Sequence, residues 1–97
     1  MSRLDEASIG NALQRTPGWA RAGAEIRRTY RFRDFREALA FVNRVGGLAE
    51  AAGHHPDIDI RYTKVLCTLS THDSGGVTEN DVNLARGIER LYEDVRG

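Results

Sequence analysis

Between Asp34 and Gly53 the apolar residues Phe35, Ala38, Leu39, Val42, Val45, Ala49 and Ala52 recur at steps of three and four. Arg36, Glu37, Asn43, Arg44 and Glu50 lie off that stripe. This period is one face of an amphipathic helix, and so long a stripe needs an apolar surface to lie on. The segments on either side supply it. Upstream, Ala24, Ile26, Tyr30 and Phe32 alternate with Glu25, Arg27, Thr29 and Arg31, with Arg28 out of place on the apolar side. Downstream, Asp57-Ile58-Asp59-Ile60-Arg61-Tyr62 alternates, and Val65, Cys67, Leu69 and Thr71 alternate with Leu66, Thr68 and Ser70. Period two is the signature of a strand. A helix flanked by pairs of strands predicts a sheet with a helix laid across it.

The remaining segments complete that plan. Asp5 to Gln14 carries a weak helical pattern through Ile9, Ala12 and Leu13, with Gly10 against it, and Thr16-Pro17-Gly18 ends it. Trp19 to Ala22 reads as a short first strand that folds back at Gly23. Trp19 is either a core or hairpin anchor or the wall of a ligand site. Asp34 with Glu37 three residues on forms a capping box, and Gly53 is suited to the left-handed residue that stops a helix. Gly46-Gly47 in mid-helix costs about 2 kcal/mol against alanine, which predicts a close approach by a neighbouring strand or subunit. Thr63-Lys64 is read as the turn between the downstream strands. Thr78 caps a last helix with Asp81 as its carboxylate partner, and Leu84, Ala85, Ile88, Leu91, Tyr92 and Val95 form its apolar face. The expected fold is α+β: a four-stranded antiparallel sheet with three helices packed on one face, in the order α-β-β-α-β-β-α. The 97 residues suit a single domain over 1–97.

Composition excludes several functions. Fourteen basic and fourteen acidic side chains balance, against a polybasic binder of nucleic acid or membrane. The one cysteine, Cys67, has no intramolecular disulfide partner. No early apolar run resembles a signal peptide and no stretch is long enough to span a bilayer, so a cytoplasmic protein is expected.

What remains is a proton-handling set. His54, His55 and His72 all lie between Glu50 and Asp81. Imidazole exchanges protons near neutral pH. His54 and His55 follow a helix end, and Pro56 pushes His55 toward extended backbone, so the two rings diverge. That counts against one shared metal ion. Cys67 and His72 are five apart, on opposite faces of one strand, and make a poor metal site.

Glu50, His54-His55-Pro56, Tyr62, His72 and Asp81, at these spacings, resemble the motif of the pterin-4a-carbinolamine dehydratases. Pro17-Gly18-Trp19, Phe32-Arg33-Asp34-Phe35, Tyr62-Thr63-Lys64-Val65, Leu69-Ser70-Thr71-His72 and Asp81-Val82-Asn83-Leu84-Ala85 resemble family segments in the same order. The resemblance implies dehydration of 4a-hydroxytetrahydrobiopterin to the quinonoid dihydropterin, with no metal and no cofactor. It implies catalytic roles for His54, His55 and His72, and pterin binding by Glu50, Ser70, Thr71 and Asp81. His55 is expected to be the principal acid or base. Gly53 and Asn80 depart from residues common in the family. A homodimer or homotetramer is implied, with a functional link to an aromatic amino-acid hydroxylase. The alternative is a non-catalytic dimerisation cofactor or interaction module on the same fold.

Overall fold

The structure, a computed structural model, describes residues 2–96. Its elements are α1 (Glu6–Gln14), β1 (Ala20–Ala22), β2 (Glu25–Arg31), α2 (Phe35–Ala52), β3 (Asp57–Arg61), β4 (Lys64–Leu69), a 3-10 turn (His72–Ser74) and α3 (Glu79–Arg96). The strands form one antiparallel sheet in the order β1-β2-β4-β3. This is the α+β arrangement expected, with the helices on one face.

The register explains which residues are inside. Ile26, Arg28 and Tyr30 of β2 stand opposite Leu69, Cys67 and Val65 of β4. Ile26, Tyr30, Val65, Cys67 and Leu69 are buried against Ala38, Phe41 and Val45 of α2 and Leu84, Ala85 and Ile88 of α3. Burying each large apolar side chain contributes roughly 1.5–3 kcal/mol. Trp19 and Ile9 close the core at the β1 end. Trp19 is therefore the core anchor, and its Nε1–H donates to Tyr30 Oη at 3.0 Å.

Arg28, the misfit in the alternation, has a specific environment. Its guanidinium lies over the Tyr30 ring, 4.8 Å from the centroid, and near Tyr92. Its Nε is 3.1 Å from Glu89 Oε1, at an angle that makes an ion pair rather than a hydrogen bond. Tyr30 donates to the same oxygen at 2.7 Å. Gly18, at φ 88°, passes so close that a Cβ there would overlap the guanidinium.

Three local expectations change. The β3–β4 turn is Tyr62-Thr63 rather than Thr63-Lys64, because Arg61 pairs with Lys64. A two-residue hairpin favours positive φ, and Tyr62 takes it at 54°. β4 stops at Leu69 rather than Thr71. Ser70 Oγ donates to Ala24 O, and Thr71 bridges to Gly76 around the 3-10 turn. Finally, among the described residues no strand approaches Gly46 or Gly47, where an added Cβ would meet nothing within 4 Å. Between the two long helices the close approach is at Gly87 of α3, where a Cβ would lie 2.8 Å from Leu48 Cδ2 of α2.

Candidate active site

The site is built on the way α2 stops. Gly53 takes φ 63°, in the left-handed region. Its N–H donates to Glu50 O at 3.3 Å, and the N–H of His54 donates to Ala49 O at 3.2 Å. These two bonds are the Schellman pattern, which satisfies the last helix carbonyls and reverses the chain. Glu50 is thus held in the last turn of the helix, with His54 and His55 just beyond it.

The two imidazoles then part. His55 turns outward, and its Nε2 meets Glu50 Oε2. Both side chains are largely exposed, so water screens this pair and it adds little to stability. His54 turns inward. Its Nε2 lies 2.5 Å from Oδ1 of Asp81, a residue with no exposed surface.

Asp81 sits in the first turn of α3, and its other oxygen is also engaged. Oδ2 accepts from the Thr78 N–H at 2.8 Å and from Thr71 Oγ1 at 2.8 Å. Thr71 Oγ1 spends its hydrogen there, so Thr78 Oγ1, 2.8 Å away, donates to Thr71. The carboxylate therefore caps α3 and ties the β4 end to the start of α3. Among the described residues, His54 is the basic side chain that reaches it.

Of the predicted residues, the fold brings His54, Asp81 and Thr71 into one network and pairs His55 with Glu50. His72 is exposed at the start of the 3-10 turn, directly after Thr71, and its ring joins neither contact. Ser70 is committed to Ala24 O. Thr78 is the member that sequence reasoning took only for a cap. Its spacing to Asp81 was visible, but its contact with Thr71 depends on the loop between them. Leu48, Ala52, His54, Asn80, Asn83 and Leu84 line a groove of about 240 Å³ beside the ring. Among the described residues, no three His, Cys, Asp or Glu side chains converge in a way that could hold a metal ion.

An α+β domain that presents carboxylate-held imidazoles at a helix end has groups that can exchange protons near neutral pH. Residues 2–91 match the family model described as pterin 4 alpha carbinolamine dehydratase. The chain belongs to this family of hydro-lyases. A protein of Thermomicrobium roseum assigned to the same dehydratases is 57% identical over 91 residues, which is 94% of this chain and 98% of the relative. One of Chloroflexus aurantiacus is 53% identical over the same shares of both chains. The crystal structure of a transcriptional coactivator/pterin dehydratase from Brucella melitensis superimposes with a TM-score of 0.91 at 34% identity, covering 94% of this chain and 99% of that one. A pterin dehydratase-like protein described as a RuBisCO assembly factor in the alpha-carboxysome shares the fold, with a TM-score of 0.64 at 21% identity over 76% of this chain and 86% of that one.

Proposed function

We propose that this protein converts 4a-hydroxytetrahydrobiopterin to quinonoid dihydropterin and water by histidine general acid–base catalysis. The observation that carries the reading is the pair of diverging imidazoles at the end of α2, each held at Nε2 by its own carboxylate. The reaction needs a donor for the departing hydroxyl and an acceptor for a ring-nitrogen proton. Two adjacent histidines in different environments suit two such opposite tasks. His72, Ser70 and the backbone around Thr71 form the opposite wall in this reading and hold the pterin ring. The chemistry calls on imidazoles and carboxylates alone.

The same proposal places the enzyme in the cytoplasm, recycling pterin behind an aromatic amino-acid hydroxylase, whose reaction class generates this substrate. It also makes the active form a homodimer or homotetramer. Phe35, Leu39, Ile60 and Tyr62 are exposed, and the outer edge of β3 is unpaired among the described residues, so there is surface for a second copy to cover.

The test follows absorbance as the carbinolamine breaks down, with and without protein, in the presence of a chelator. Acceleration is expected, and His55→Ala should cut the turnover number at least about tenfold with circular dichroism unchanged. Near-normal rates in His55→Ala and in the His54→Ala, His55→Ala double variant would move the interaction-module reading ahead.

A further inference from the structure

Resting on that reading, we propose that Asp81 acts as a positioning residue that fixes the tautomer of His54, making Nδ1 the atom that takes the substrate's proton. An ionised carboxylate only accepts hydrogen bonds. Oδ1 of Asp81 is 2.5 Å from His54 Nε2, so that nitrogen carries the hydrogen. In a neutral ring the lone pair is then on Nδ1. Nδ1 has no protein partner among the described residues, and it is not sealed from solvent. The acceptor atom is therefore the one left open.

The acid arm of the reaction falls to the other ring. His55 is exposed and lies against a solvated carboxylate, so it reloads from water between turnovers. In the chemical step the carbon–oxygen bond breaks and its electron pair leaves with oxygen, which takes a proton from the His55 imidazolium. The neighbouring ring nitrogen loses its proton to His54 Nδ1, and the freed electron pair forms the carbon–nitrogen double bond. The new His54 imidazolium rests on Asp81, as the buried aspartate of a catalytic triad steadies its histidine. His54 then returns a proton to water, and His55 takes one up. The sum is the loss of one water molecule.

Such a role separates Asp81 from a residue that binds substrate. Both of its oxygens are occupied by Thr71, Thr78 and His54, and none of its surface is exposed. It reaches the substrate only through the ring. Thr71 and Thr78 hold the carboxylate in turn, so the end of β4 and the start of α3 set the angle of one imidazole.

Two measurements test the role. The first is nitrogen-15 NMR of the substrate-free wild-type protein at a pH where His54 is neutral. The Nε2–H tautomer is expected; the Nδ1–H tautomer, or an even mixture, overturns the proposal. The spectrum needs no turnover, so it stands apart from any failure of the dehydratase assay. The second is Asp81→Asn, whose amide can turn its NH₂ toward Nε2 and force the wrong tautomer. The kcat should fall on the order of a hundredfold, with KM within about threefold of wild type. A KM raised about tenfold or more would mark Asp81 as a direct ligand, and an unchanged kcat would remove any role. Either result overturns the proposal. Should Asp81→Asn fail to fold, the wild-type tautomer alone decides between the two outcomes.

Discussion

Burial decides what single side chains do here, and Cys67 shows it most simply. It lies in the middle of β4 opposite Arg28 and Ile58, with no exposed surface. Burial pushes its thiol up from 9.0 to about 12, because a thiolate in the core has no water around it. The thiol therefore contributes stability that is fully present below pH 9 and lost as pH rises toward about 12. We expect Cys67 to resist alkylation in the native protein at pH 8 and to react at once in denaturant. Mass spectrometry after a timed pulse of iodoacetamide checks this, and rapid native labelling would contradict the packing. The same contrast separates the two site histidines. The His54 contact is mostly shielded from water, whereas the His55 contact is largely exposed.

Among the elements, the end of α2 carries the most consequence. One glycine at positive φ stops the helix, pairs its last carbonyls and launches both histidines. Gly53→Ala would force a Cβ into left-handed backbone at a cost of about 1–2 kcal/mol. For a domain of this size that corresponds to a fall in melting temperature of roughly 4–8 °C per kcal/mol. Well below that temperature, turnover should still drop about tenfold, since small displacements of reacting groups are costly. Gly47→Ala is the control. Its Cβ would meet open space within the chain and should not affect turnover. Equal turnover in Gly53→Ala and wild type would mean that the chain reversal does not set the ring positions.

For the molecule as a whole, the uncovered surface matters most. Leu66 and Thr68 lie half-buried on the sheet face away from the core, and Phe35 and Tyr62 stack on one another at the surface. A 97-residue chain buries a modest fraction of its surface, so association is a ready source of further stability. Light scattering at micromolar concentration should give a dimer or larger, and Ile60→Arg, on the β3 edge, should weaken that assembly. A strictly monomeric wild-type protein would refute the expectation.

The sequence alone determined the element order, the faces and the family. Those follow from local rules: period two against period 3.6, capping residues, a helix-stopping glycine and motif spacing. It also predicted that His54 and His55 diverge, since that depends on backbone direction over three residues. Tertiary structure alone decided which carboxylate each ring meets. Asp81 is 27 positions from His54, and nothing local separates an aspartate that only caps from one that also grips an imidazole. The partners of Arg28 were hidden for the same reason, since Glu89 arrives from α3. For the Gly46-Gly47 pair, a propensity cost signals some compensation without saying where, and among the described residues no strand supplies it. Within this chain the tight helix contact falls at Gly87 instead, where α3 packs against Leu48 of α2. Local chemistry sets where a chain turns and which side is apolar, while contacts between distant segments exist only once the core has brought them together.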